Sequence, residues 1–205
     1  MTRFGLAINT GRCIGCHTCA NACKMQNNVP SGMRWNRVLT EGCDIVDGAV
    51  GQYPNVSRAY LPVACQHCEN PACLRVCPTG ATYKDENGRG EIAYDKCIGC
   101  RTCMAACPYN ARVFNWNEPR RDPDFNYGDK DVPVRGKGVV EKCTLCKERT
   151  DRGDEPMCVV CCPTKARVFG DLDDPNSDVS RIVRERRAGV LLEEQGTRPQ
   201  VHYYG

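Results

Sequence analysis

"CIGCRTCMAACP", residues 97–108, is the stretch that decides the fold. Cys97, Cys100, Cys103 and Cys107 follow a C-x2-C-x2-C-x3-C spacing that a proline closes. The run recurs along the chain. "CIGCHTCANAC" puts Cys13, Cys16, Cys19 and Cys23 at the same spacing. "CQHCENPACLRVCP" carries Cys65, Cys68, Cys73 and Cys77, and "CTLCKERTDRGDEPMCVVCCP" carries Cys143, Cys146, Cys158 and a later member. These two keep both ends of the run and lengthen its middle. Proline after the last cysteine in three of the four groups fixes φ and removes a donor, so a short helix cannot continue past it. Group one has Cys23-Lys24 instead.

Composition agrees that cysteine carries the cohesion. The chain has 18 cysteines in 205 residues, while Leu, Ile, Val and Phe together supply only 37. So little hydrocarbon with a high net charge would read as disorder, but the formal charge is only +3. A disulfide framework belongs to secreted chains much shorter than this one. "MTRFGLAINTGRC" leaves no room for a signal peptide before Cys13. No apolar run approaches the roughly 20 residues of a membrane span. Without a long basic run or aromatic–basic interleaving, no nucleic-acid partner is expected.

The C-x2-C-x2-C-x3-C run is that of bacterial ferredoxins, in which three close thiolates hold one cubane and the fourth cysteine reaches a different one. Structural zinc prefers two C-x2-C or C-x2-H pairs separated by a longer stretch, which three cysteines within seven residues do not match. His17 and His67 lie between ligands and are expected to be solvent-facing or to support ligands, since each group has its full cysteine set. In group four, aligning "CANAC", "CLRVC", "CMAAC" and "CVVCC" puts Cys161 in the column of Ala22, Val76 and Ala106. Cys162 falls in the ligand column, before Pro163. Cys161 therefore reads as a small buried filler, and isolated Cys43 as a spectator.

The chain is an internal repeat of strand, cluster loop, short helix, strand. "FGLAINT", "AYLPVA", "GEIAYD" and "GVVEK" precede the groups, and "GATYK", "ARVFNW" and "ARVFGD" follow three of them. Nineteen residues separate Cys77 from Cys97, against 41 between Cys23 and Cys65 and 35 between Cys107 and Cys143. Short connections favour spatial neighbours. Groups two and three should then form an inner ferredoxin-like domain (60–115), nested in an outer one built from groups one and four (1–40 plus 138–170). Residues 41–59 and 116–137 would be insertion loops and 171–205 a C-terminal tail, in an α+β fold. Crossed ligation gives four sets: Cys13, Cys16, Cys19 with Cys162 (site A); Cys65, Cys68, Cys73 with Cys107 (site B); Cys97, Cys100, Cys103 with Cys77 (site C); and Cys143, Cys146, Cys158 with Cys23 (site D). Sixteen cysteines would hold iron in four [4Fe-4S] clusters. Arg12, Lys96 and Lys142 precede three groups, where a cation should raise a reduction potential. Ala64 stands there in group two, so site B should have the lowest potential.

In the tail, Val179, Ile182, Val183 and Arg186 follow helical spacing, with Gly189 as a stop. This helix is expected to pack on the chain's own domains, with docking on a partner as the alternative and "VHYYG" as a candidate anchor. The polar stretch 115–138 reads as partner surface.

At this point the chain resembles the four-cluster iron–sulfur subunit of complex iron–sulfur molybdoenzymes, the β subunit of dimethyl sulfoxide reductase and its polysulfide, thiosulfate and arsenate reductase relatives. The resemblance rests on "CIGCHTCANACKMQNN", "CQHCENPACLRVCPTGA", "CIGCRTCMAACPYNARVF", "EKCTLC" and "CCPTKARVFGDLDDP". It implies an electron-transfer subunit of anaerobic respiration, not catalytic alone. Its partners would be a large molybdenum- or tungsten-pterin catalytic subunit and a membrane anchor subunit linked to quinol. It also implies a membrane-associated complex on the extracytoplasmic face by co-export with a partner, the alternative being cytoplasmic. Competing readings are an iron–sulfur subunit of a hydrogenase or formate dehydrogenase, and a structural zinc protein.

Overall fold

The structure is a computed structural model that describes residues 2–40, 42, 47–119 and 128–205. Cys43 and its reading as a spectator, together with parts of both expected insertion loops, lie outside the described residues. In chain order the elements begin with β1 (Phe4–Asn9), α1 (Thr18–Gln26), β2 (Arg37–Thr40), β3 (Val50–Gln52), β4 (Asn55–Ser57) and β5 (Tyr60–Val63). Next come α2 (Ala72–Arg75), β6 (Thr82–Lys84), β7 (Gly90–Ile92), α3 (Thr102–Ala105), β8 (Arg112–Phe114) and β9 (Val140–Lys142). The chain continues through α4 (Lys147–Thr150), α5 (Met157–Val160), β10 (Arg167–Asp171), α6 (Asp178–Glu185) and β11 (Val201–Tyr204). Strands form at all seven stretches that flank the cysteine groups.

The α+β architecture is one three-stranded sheet, ordered β10-β1-β11, and four two-stranded sheets. β1 pairs antiparallel with β10, with Leu6 opposite Phe169, and parallel with β11, with Leu6 opposite Val201. "VHYYG", expected as a candidate anchor, is thus an edge strand of the chain's own sheet. α6 packs on β10 and β1. Ser177 caps it by accepting from the Ser180 amide, and Val179 is fully buried against Gly170. The remaining pairs are β2–β5, β3–β4, β6–β7 and β8–β9, all antiparallel. The helices make a different set of contacts: α1 packs on α5, and α2 on α3.

Proline explains where three of the helices stop. α2, α3 and α5 are four residues long and end just before a Cys-Pro pair, whereas α1, which meets Lys24 after Cys23, runs on to Gln26. Val76, Ala106 and Cys161 are the C-caps of α2, α3 and α5, so Cys161 shares the structural position of the two apolar residues. The core is small and sulfur-rich. Leu6, Ile8, Val38, Leu145 and Val201 pack with Cys19 and Cys158; Val29 and Trp35 with Cys23 and Cys143; and Ile92 and Val140 with Cys103. Scarce hydrocarbon is thereby concentrated around the thiols.

Candidate metal centres

All four cysteine loops share one backbone device. The third residue of each C-x2-C has positive φ: Gly15 and Gly99 at 69°, His67 at 45° and Leu145 at 53°. In this turn the amide of that same residue points back at the first cysteine. Leu145 N donates to Cys143 Sγ at 3.4 Å, and Gly15 and His67 donate likewise to Cys13 and Cys65. Glycine is needed where the loop is crowded. A Cβ on Gly15 would lie 2.3 Å from the Tyr60 ring, and one on Gly99 the same distance from the Gly138 carbonyl oxygen. A second turn follows each Cys-Pro, with positive φ at Gly80, Asn110 and Lys165. Beyond it, Thr82 N donates to Cys77 Sγ at 3.4 Å and Ala166 N to Cys162 Sγ at 3.3 Å.

These turns bring the cysteines together in sets. Cys13, Cys16, Cys19 and Cys162 line one cavity; Cys65, Cys68, Cys73 and Cys107 a second; and Cys77, Cys97, Cys100 and Cys103 a third. No aspartate or glutamate lines any of the three; His17 lines the first and His67 the second, and the remaining metal-binding donors are the soft sulfurs suited to iron–sulfur clusters. Cys23, Cys143, Cys146 and Cys158 are buried together. Burial pushes the Cys23 thiol well up, and Cys143, Cys146 and Cys158 add to it. Burial likewise raises Cys146 to about 12. To ionise, the four thiols packed there would need positive charge among them, as a metal centre would supply. Asn27 Nδ2 donates to both Cys23 Sγ and Cys146 Sγ at 3.7 Å. Among the described residues, no three His, Cys, Asp or Glu side chains close on a single metal-ion position, and no cysteine is in a disulfide.

Near the surface the balance reverses. Burial raises the Cys77 thiol, but hydrogen bonds from the backbone of Thr82 and from Thr79 outweigh it and bring it to about 7. Cys16 and Cys100 are exposed, with Ile14 and Ile98 projecting beside them. Cys161 does not line the site A cavity. It is half-buried rather than buried, and burial with Cys158 and Cys19 nearby pushes its thiol to about 11.

Sequence reasoning placed cations at Arg12, Lys96 and Lys142. Arg12 and Lys96 are exposed; Lys142 is 2% exposed and donates through Nζ to the Gly90 and Cys143 carbonyl oxygens. Missed were Arg112 and Arg167, both buried. Arg112 donates to Cys73 Sγ at 3.0 Å and Arg167 to Cys19 Sγ at 3.5 Å. The signal was present in the repeated "ARVF", whose arginine lies five residues after each ligand-column cysteine. His67 is also fully buried, not solvent-facing. Its Nδ1 accepts from Gly90 N at 3.1 Å, and burial with Lys142 beside it holds the ring neutral.

Residues 56–121 and 131–172 match the family described as the 4Fe-4S dicluster domain, and residues 6–26 match the 4Fe-4S binding domain. The chain is 54% identical over 209 residues to a Halobacterium salinarum protein named as the iron–sulfur subunit of a dimethyl sulfoxide reductase, covering 99% of this chain and 79% of that one. It is 37% identical over 230 residues to the arsenate respiratory reductase iron–sulfur subunit of Shewanella sp. strain ANA-3, covering 98% and 95%. It is also 37% identical over 227 residues to the menaquinone reductase iron–sulfur cluster-binding subunit of Nitratidesulfovibrio vulgaris, covering 98% and 88%. Among the described residues no helix is long and apolar enough to cross a membrane. The chain belongs to the iron–sulfur electron-transfer subunits of oxidoreductase complexes related to dimethyl sulfoxide reductase, which serve a catalytic subunit rather than act as one.

Proposed function

We propose that the chain holds four [4Fe-4S] clusters at sites A to D and conducts electrons through them between a quinol-linked membrane subunit and a large molybdenum- or tungsten-pterin catalytic subunit. The observation that carries this reading is the gathering of sixteen cysteines into four sets, three of them lining separate cavities free of carboxylates. Bound clusters supply one-electron transfer without making or breaking bonds. The protein's part is to hold thiolates in place, exclude water and order the sites.

Contacts between the sets support the order A–D–B–C. Arg167 faces Cys158 of site D and Cys19 and Cys162 of site A. Cys143 of site D feels Cys65 of site B. Arg112 lines the cavities of both B and C. Sites A and C then form the ends, where Cys16 and Cys100 meet solvent. The packing of α1 on α5 and of α2 on α3 supports the nested organisation, 60–115 inside 1–40 plus 138–170. The pairs β2–β5 and β8–β9 join the two units along their length. The complex would sit on the extracytoplasmic face of the membrane, exported folded with its catalytic partner.

Metal and acid-labile sulfide analysis of anaerobically purified protein tests the reading. About 16 iron and 16 sulfide per chain are expected, four of each per cubane. A zinc-dominated preparation with little sulfide would refute it. Mild purification from the native source should co-elute a molybdenum- or tungsten-containing subunit.

A further inference from the structure

Three buried cations stand between the cysteine sets. Arg167 is 4% exposed, lines the site A cavity and donates to Cys19 Sγ, and Cys158 of site D also accepts from it. Arg112 is 3% exposed, lines the cavities of sites B and C, and reaches Cys73 Sγ of B. Cys103 of site C also accepts from it. Lys142 lines the site B cavity and bonds the Cys143 carbonyl of site D. In the order A–D–B–C there is one cation at each junction.

The other side-chain partners of the two arginines are neutral. Arg112 Nη1 donates to Thr82 Oγ1 and Arg167 Nη2 to Asn36 Oδ1. Among the described residues neither guanidinium forms an ion pair with a carboxylate. A buried guanidinium without counter-charge is costly, so negative charge must come from the thiolates and what they hold. Arg112 and Arg167 occupy the same place in the "ARVF" echo, which makes the arrangement a property of the repeat.

We propose that Arg167, Lys142 and Arg112 are fixed junction charges that raise the reduction potentials of the two sites each one separates. This rests on the four-cluster reading above. Each one-electron reduction adds one negative charge and breaks no bond; the cations keep their protons throughout. A positive charge buried between two sites stabilises the reduced form at both, in a medium that screens little. A surface cation beside a ligand does much less, because water and salt screen it.

The test is a redox titration of the full-chain protein, followed by electron paramagnetic resonance, with iron counted in every sample. Arg112→Gln should lower the potentials of two sites, B and C, by at least a tenfold change in the reduced-to-oxidised ratio, which is 59 mV for one electron. Sites A and D should stay put. Arg167→Gln should do the converse, and Arg112→Lys, which keeps the charge, should restore most of the shift. Exposed Lys96→Gln should move site C far less than Arg112→Gln does. Full iron with unmoved potentials in Arg112→Gln and Arg167→Gln would overturn the proposal alone. So would loss of iron in both Arg112→Gln and Arg112→Lys, which would make the arginine a packing element. Wild-type protein lacking iron at these sites would overturn both the proposal and the reading beneath it.

Discussion

Gly99 and Gly80 offer a controlled comparison of what the cysteine loops demand. Both have positive φ, 69° and 66°, so alanine at either pays the left-handed penalty of about 1–2 kcal/mol. Only Gly99 is crowded. Its Cβ would come within 2.3 Å of the Gly138 carbonyl oxygen and 3.2 Å of the Phe114 ring, while nothing lies within 4 Å at Gly80. Backbone cannot swing aside as a side-chain tip can, so Gly99→Ala carries a further overpacking cost of about 1–3 kcal/mol. At roughly 2–4 °C per kcal/mol for a chain of this size, Gly80→Ala should melt about 2–8 °C below the parent. Gly99→Ala should fall by about 4–20 °C. Because Gly99 lies between Cys97 and Cys100, its variant should also lose iron selectively from site C. The assay is an anaerobic thermal melt of both variants at one scan rate, with iron analysis alongside. Equal melting temperatures and equal iron would refute the close approach of the 97–100 loop to residue 138.

Two further outcomes are expected. Cys162→Ser should lose or convert one cluster, the one held with Cys13, Cys16 and Cys19, while Cys161→Ala keeps all four. Electron paramagnetic resonance of the reduced variants reads this directly, and the opposite pattern would mean that the register of "CVVCC" is misassigned. Glu91, buried in β7, should make stability fall as pH rises. Burial lifts its carboxyl to about 7 against the nearby Lys142, so between 4.5 and about 7 the native state binds a proton that the unfolded chain releases. That contribution, on the order of 3 kcal/mol, is complete below 4.5 and gone above about 7. Glu91→Gln should flatten the pH dependence of the denaturant midpoint across that window, and an unchanged slope would show that another group is responsible.

The cysteine groups, the strands beside them and the column shared by Val76, Ala106 and Cys161 were legible because spacing and proline are local signals. The tail helix was legible for the same reason: Val179 and Ile182 keep helical spacing. What escaped depends on contacts distant in sequence. Nothing within "VHYYG" says that it will lie parallel to residues some 195 positions earlier. The pairing of β2 with β5 and of β8 with β9 was hidden because either partner strand also fits a self-contained ferredoxin unit. Arg112 and Arg167 looked like ordinary strand residues, since charge in sequence reads as exposure. Arg12 and Lys96, adjacent to ligands in sequence, turned out to face solvent. Which of the two expected roles His67 takes was left open, because a histidine in the third position of C-x2-C gives no hint that the loop will be buried against Gly90 and Lys142.

The three-stranded sheet also sets a timetable. Its central strand is made first, at Phe4–Asn9, and its two neighbours come at Arg167–Asp171 and Val201–Tyr204. At about 5–20 residues per second, the first strand waits roughly 8–30 s on the ribosome before β10 has been made. Cys13, Cys16 and Cys19 wait almost as long for Cys162, whereas every proposed ligand of sites B and C lies between Cys65 and Cys107. Iron delivery during synthesis would therefore run from the middle of the chain outward. The motif translated first would be the last completed, and a stall late in translation would leave its thiols open to oxidation.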